Sequence, residues 1–288
     1  MLSPDTLRDR RILITGGGTG LGRAMAQRFA ELGALVTICG RRGAVLEATA
    51  VELHAATGVP VATEVCDIRD AAAVEAMLDR IWRHGPLDAL VNNAAGNFLA
   101  PTHRLSPRAV DAVLGVVLHG SAYCTIGCGR RWIEAGGIEA GRPAAVLSIL
   151  TLSALHGAPF TVPSAMAKAG VLAMTRSLAV EWGRHRIRLN AIAPGSFPTP
   201  EATGRLQPAG AVPERGIPLR RVGEHGELAD LAAFLLSDLA GYITGATVTI
   251  DGGKRWLGGA RSGGEAMLDW DDADWAAQRA GSGAGAKP

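Results

Sequence analysis

"RILITGGGTGLGRAMAQRFA", Arg11–Ala30, sets a short branched apolar run against a glycine-rich turn and then a stretch of helical period. Gly16, Gly20 and Gly22 follow a T-G-x-x-x-G-x-G spacing. Glycines let the backbone turn sharply and approach a pyrophosphate, and the helix that follows offers unpaired N–H groups and the positive end of its dipole. A tight turn with no ligand would use the same residues. The motif's place, directly after a strand and at the opening of a helix, favours a dinucleotide cradle of Gly16, Gly17, Gly18, Thr19, Gly20 and Leu21.

The same rhythm continues outward. Short apolar runs, "RILIT", "LVTIC", "VATEVC", "DALVNN", "AAVLSI", "RLNAIA" and "ATVTI", alternate with helical stretches near 20–32, 43–56, 70–84, 106–136, 161–183 and 226–237. This alternation predicts an α/β fold: a single-domain, Rossmann-type, doubly wound parallel sheet of about seven strands with helices on both faces. Two segments break it. "EAGGIEAGRP", 134–143, is a glycine-rich connection, and the proline-rich, aperiodic 198–221 reads as a lid over a binding site. One domain is expected over 1–260, followed by an extension, 261–288. Its acidic "LDWDDADW" suggests a short helix and its final "AGSGAGAKP" suggests disorder.

Composition narrows the partners. The 288 residues, 48% hydrophobic, are enough to bury a large core. A formal charge of +2, from 29 basic and 27 acidic residues, gives no reason to expect nucleic acid or an acidic membrane surface, so a small-molecule partner is expected. The first apolar run is too short for a signal peptide or a membrane span. The four cysteines lie in apolar or helical stretches, which suits a reduced compartment and a soluble cytoplasmic protein. Cys124 and Cys128 are one helical turn apart without a second Cys/His pair at ligand spacing, so packing rather than metal is expected.

Cofactor choice is written about twenty residues after the glycine turn, where an acid would hold the ribose hydroxyls of NAD. That place reads "TICGRR": no carboxylate is present, and Arg41 and Arg42 offer forked cations suited to the 2′-phosphate of NADP(H).

With "TGGGTGLG", "CDIRD", "NNAAGNF", "SAMAK", "APG" and "ITGATVTIDGG", the chain from about residue 8 to 253 resembles the short-chain dehydrogenase/reductase family. "RLSP", "VPSAMAKAG", "LAVEWG" and "GRLQP" are most similar to its 2,4-dienoyl-CoA reductase branch. The resemblance implies Asp67 beside the adenine, Asn92 and Ala94 beside the adenine ribose, and Pro194, Gly195, Ser196 and Phe197 beside the nicotinamide amide. It implies Lys168 on the nicotinamide ribose and an acyl-CoA substrate touched by Arg69, Phe98, Ser106, Ser153 and Arg205. It also implies a homo-oligomer, commonly a tetramer.

Ketone-reducing members carry a proton-donating tyrosine four residues before the lysine and a hydroxyl thirteen residues earlier. This chain has Ser164 and Thr151 in those slots, and His119 where a helix asparagine often organises water. In the mitochondrial-type dienoyl-CoA reductases a tyrosine eleven residues before the Ser164 slot also binds the thioester carbonyl; here that position is Ser153. A serine hydroxyl is too weak an acid to protonate an alkoxide near neutral pH. Hydride addition to a conjugated thioester needs only hydrogen bonds to the enolate oxygen, for which Asn97 and Ser164 are candidate donors, with Lys168 one turn beyond Ser164. The expected activity is therefore NADPH-dependent reduction of a 2,4-dienoyl-CoA to a 3-enoyl-CoA. Two alternatives stay open: a carbonyl reductase of 3-oxoacyl thioesters or other ketones, and a catalytically weak NADP-binding protein.

Overall fold

The computed structural model describes residues 2–135, 143–199, 213–257 and 267–283. Its first strand, β1 (Arg11–Thr15), shows why the runs form a sheet buried on both sides: Ile12 and Ile14 face one layer of helices, Leu13 the other, and all three are fully buried. The other strands are β2 (Leu35–Gly40), β3 (Ala62–Val65), β4 (Ala89–Asn92), β5 (Ala144–Ile149), β6 (Ile187–Pro194) and β7 (Thr247–Ile250). Every pairing is parallel, in the order β3-β2-β1-β4-β5-β6-β7.

Helices α1 (Gly20–Glu31) and α2 (Gly43–Thr57) cover one face, with Met25, Phe29, Leu46 and Leu53 on Ile12, Val36 and Val91. On the other face α3 (Ala71–Trp82) presents Val74, Met77 and Leu78 to Leu13, Leu90 and Val146. The α3 start is fixed by Asp70, whose carboxylate accepts from Ala72 N and Ala73 N at 2.9 and 3.2 Å.

The stretch expected as one helix over 106–136 is three pieces. They are α4 (Pro107–Leu114), a π-turn (Gly115–His119) and α5 (Gly120–Glu134). The widened turn falls where the exit of β3 presses on it: a Cβ on Gly120 would lie 2.6 Å from Ile68 Cδ1, and one on Gly115 3.6 Å from Arg69 Cδ. The run Pro107–Glu134 is apolar and long enough to cross a bilayer, but Cys124, Cys128 and Trp132 are buried in the second core layer.

Beyond β5 come the one-turn α6 (Ser153–His156), unexpected from the sequence, and α7 (Val162–Glu181). Next come α8 (His225–Leu236), opened by a reciprocal Glu224/Glu227 capping box, and α9 (Lys254–Leu257). Arg188 closes the far end of α8, its guanidinium donating to Leu235 O at 2.8 Å and Ser237 O at 3.0 Å. The extension forms α10 (Asp272–Gly283), which runs into the stretch expected to be disordered. It is held by an Arg220–Asp269 ion pair, with Trp270 edge-on to Trp275 at 4.8 Å. Most of the glycine-rich connection and of the expected lid lies outside the described residues.

Candidate active site

Between β1 and β4 the strand order reverses, and at the carboxyl ends of the strands there opens a cleft of about 470 Å³. Its first wall is made of atoms that are absent. Gly16 holds φ +65°, and a Cβ there would stand 2.9 Å from Ala94 Cα. A Cβ on Gly22 would stand 2.3 Å from Gly16 O. Gly16, Gly18, Thr19, Gly20 and Leu21 line the cleft, whereas Gly17 lies against Ile38 and lets the turn settle on the sheet. Thr19, the residue before α1, makes no side-chain cap, so the first N–H groups of α1 are open to a ligand.

Two residues not singled out from the sequence hold this wall. Thr15 Oγ1 donates to Val91 O at 3.2 Å and accepts from Asn93 N and Ala94 N, each at 3.0 Å. Asn93 Nδ2 in turn donates to Thr15 O and Gly16 O at 3.0 and 3.1 Å. The turn after β4 is thereby strapped to the glycine turn. Thr15 directly before the glycines and the doubled asparagine were the available signals. Ala94 lines the cleft, as expected, but Asn92 does not. The alternation of β4 sends Asn92 to the α5 side with Leu90, where its Nδ2 donates to Thr125 Oγ1 at 2.8 Å.

At the ends of β2 and β3, Arg41, Arg42 and Asp67 line the cleft. Asp67 is held below the usual carboxylate range, first by its hydrogen bonds from the Arg69 guanidinium, with Arg41 adding attraction. Arg69 Nε donates to both Asp67 oxygens, at 2.9 and 3.0 Å, so the guanidinium expected on the acyl-CoA is paired with Asp67 in this structure. Cys39 and Cys66 form part of the floor. Burial raises both thiols, Cys66 to about 11, which makes them packing atoms rather than nucleophiles.

Helix α7 brings Ser164 and Lys168 onto one buried face at the other end of the cleft. Lys168 Nζ donates to Ile149 O at the end of β5, and burial lowers its pKa to about 8. Thr151 and Asn97 complete this wall. Asn97 Oδ1 accepts from Phe98 N at 2.9 Å, which leaves the NH2 end of its amide for a ligand. Pro194 and Phe197 close the wall, with Gly195 packed on Asp251 and Ser196 accepting from Lys254 Nζ at 3.2 Å behind them.

The residues expected on the acyl-CoA are less gathered. Ser153 is outside the cleft wall and hydrogen-bonded to Thr151 Oγ1. Ser106 is the N-cap of α4, accepting from Ala109 N at 3.2 Å, because a serine before a proline-led helix satisfies that terminus. Phe98 packs half-buried beside Val113, Val117 and Ala167. His119 is exposed at the end of the π-turn, its ring 6.2 Å from that of Tyr123. Arg205 lies outside the described residues.

The family model described as Enoyl-(Acyl carrier protein) reductase matches residues 16–255. The chain belongs to the short-chain dehydrogenase/reductase family. This short-chain reductase is 44% identical to an uncharacterized oxidoreductase of Caenorhabditis elegans, over 95% of this chain and 88% of the relative. It is 41% identical to a probable 2,4-dienoyl-CoA reductase of Bacillus subtilis, named (2E)-enoyl-CoA-producing, over 87% of this chain and 98% of the relative. A second Caenorhabditis elegans relative, a probable 2,4-dienoyl-CoA reductase named (3E)-enoyl-CoA-producing, is 40% identical over 96% of this chain and 90% of its own. Among solved structures, a short chain dehydrogenase of Bacillus anthracis is 39% identical with TM-score 0.76, covering 85% of this chain and 96% of that one. A gluconate 5-dehydrogenase of Burkholderia cenocepacia, solved with NADP and tartrate, is 30% identical with TM-score 0.80, covering 88% and 98%.

The cleft of this oxidoreductase fits a nicotinamide dinucleotide. A Cβ on Gly16 or Gly22 would displace the backbone that shapes the cradle, the open N-terminus of α1 suits a pyrophosphate, and the Lys168 ammonium has donors to spare beyond Ile149 O.

Proposed function

We infer that this short-chain reductase uses NADPH to reduce a 2,4-dienoyl-CoA to a 3-enoyl-CoA. The observation that carries the reading is Ser164 beside Lys168 in a cleft that no tyrosine lines: of the chain's two tyrosines, Tyr123 lies on α5 outside the cleft wall and Tyr242 is fully exposed. A ketone needs an acid for its alkoxide, and no phenol stands here to supply one.

Bound NADPH supplies the hydride. The chain's own groups do the rest. Arg41 and Arg42 receive the 2′-phosphate, and the start of α1 receives the pyrophosphate. Lys168, anchored on Ile149 O, orients the nicotinamide ribose and adds positive charge beside the reacting carbons. Ser164 and the Asn97 amide donate to the thioester oxygen as it gains charge, each such donor contributing roughly 3 kcal/mol to the transition state. Burial of Ser164 and Lys168 keeps bulk water from weakening those bonds. A proton from solvent is added at carbon to complete the reduction, so the hydroxyl of Ser164 never has to act as an acid. The names of the 40% and 41% identical relatives support the substrate class.

The test is incubation of the purified protein with NADPH and 2,4-hexadienoyl-CoA, with the product read by NMR. The expected result is one NADPH consumed per thioester, with the remaining double bond at carbon 3. A double bond at carbon 2 would revise the product alone, and NADPH left unoxidised would overturn the reading.

A further inference from the structure

Ser153 stands where the mitochondrial-type dienoyl-CoA reductases are expected to carry a substrate-binding tyrosine, yet the structure gives its hydroxyl another partner. Ser153 opens the one-turn α6, is absent from the cleft wall, and its Oγ is hydrogen-bonded to Thr151 Oγ1. Thr151 does line the cleft, together with Ser164, Asn97 and Lys168. The rest of α6 leaves the Ser153 hydroxyl free for this: the turn is closed by backbone bonds from Gly157 N to Ser153 O at 2.9 Å and from Ala154 N to Thr151 O at 3.1 Å.

Two hydroxyls joined by one hydrogen bond have two proton arrangements. If Thr151 donates to Ser153, the cleft meets only lone pairs of Thr151. If Ser153 donates to Thr151, the Thr151 proton is free to point into the cleft. A thioester oxygen that gains negative charge selects the second arrangement, because only a donor stabilises it there.

We propose that Ser153 is a positioning residue: its hydroxyl donates to Thr151 Oγ1 and so turns Thr151 into a third donor, beside Ser164 and Asn97, to the enolate oxygen of the substrate. This rests on the dienoyl-CoA reading for the identity of that substrate. The tyrosine's single long reach is replaced by two short side chains in series, Ser153 behind and Thr151 in front.

The experiment is a double-mutant cycle at 151 and 153 on the NADPH-loaded enzyme with 2,4-hexadienoyl-CoA. Thr151→Val should lower kcat about a hundredfold, the scale of one lost oxyanion donor. Ser153→Ala should lower kcat about tenfold with the acyl-CoA KM within about twofold, and Ser153→Thr, which keeps a hydroxyl, should recover most of that loss. The double variant should be no slower than Thr151→Val alone, since Ser153 acts only through Thr151. A Ser153→Ala variant with raised KM and unchanged kcat would make Ser153 a direct substrate ligand and overturn the proposal, as would losses that multiply in the double variant. If the wild type reduces a 3-oxoacyl-CoA and no dienoyl-CoA, the functional reading falls while the same cycle, run on that ketone, still decides the Ser153–Thr151 coupling. If neither is reduced, crystal structures of wild type and Ser153→Ala decide it: a Thr151 side chain that turns away supports positioning, and an unmoved one overturns it.

Discussion

The two ends of the cleft are built from opposite materials. At the β1–α1 end the wall is backbone and missing side chains: a Cβ at Gly22 would sit 2.3 Å from Gly16 O, and one at Gly16 would sit 2.9 Å from Ala94 Cα. At the β5–α7 end the wall is side chains, namely Thr151, Ser164 and Lys168. A cradle defined by van der Waals exclusion tolerates almost no change, because any added atom must displace backbone. A set of hydrogen-bonding side chains can exchange one hydroxyl for another while the lysine and the fold stay in place. The first end therefore reports cofactor and family, and the second reports which bond is reduced.

The sharpest break of this comparison is at Lys168, the group that serves both ends. Lys168→Met should lower kcat/KM about a thousandfold by steady-state kinetics, because it removes the proposed ribose anchor and the positive charge proposed for the reacting carbons together. Near-normal turnover would separate the two ends altogether. Gly22→Ala acts on the backbone end alone and should weaken NADPH binding about a hundredfold by calorimetry, although alanine is the better helix former. Unchanged affinity would show that the cradle has slack.

A smaller effect is expected at the adenine side. Arg41→Ala combined with Arg42→Ala should cost about thirtyfold in NADPH affinity and leave NADH affinity alone, as the two donors proposed for the 2′-phosphate are lost. Equal losses for both cofactors would place the arginines elsewhere.

The gentlest probe is pH. Burial lowers Lys168 from 10.5 to about 8, so the free enzyme loses this proton as pH rises through about 8. With its ammonium as the proposed ribose donor, NADPH affinity should fall about tenfold per pH unit above that point. The contribution of Lys168 to the stability of the cofactor-free protein should move the other way. Between about 8 and 10.5 the unfolded chain holds the Lys168 proton and the folded chain does not, so this contribution rises with pH, opposed above about 9 by the buried thiols, which the unfolded chain ionises first. Lys168→Met should remove the Lys168 part of both slopes.

Strand-forming runs such as "RILIT" and "AAVLSI" were legible because a strand buried on both faces is apolar at nearly every position, and each run marks a strand of the sheet. The glycine turn was legible for the complementary reason that its spacing has few other uses. What the sequence hid were choices made by tertiary neighbours. The π-turn at Gly115–His119 sits where Gly115 and Gly120 pass close to Arg69 and Ile68. Asn92 faces α5 rather than the cofactor because of its parity along β4. Arg69 and Ser106 carry groups suited to phosphates, but a carboxylate two residues away and a helix that starts at the next residue claim them first. Ser153, expected on the substrate, is hydrogen-bonded to Thr151 Oγ1.

The measurement that bears most directly on the difference between the two ends is a competition between 2,4-hexadienoyl-CoA and a 3-oxoacyl-CoA of equal length, at equal concentration, for limiting wild-type enzyme and NADPH. A wall of hydroxyls and an amide without a phenol predicts that the dienoyl thioester is consumed at least about a hundredfold faster. Faster consumption of the 3-oxoacyl thioester would contradict it.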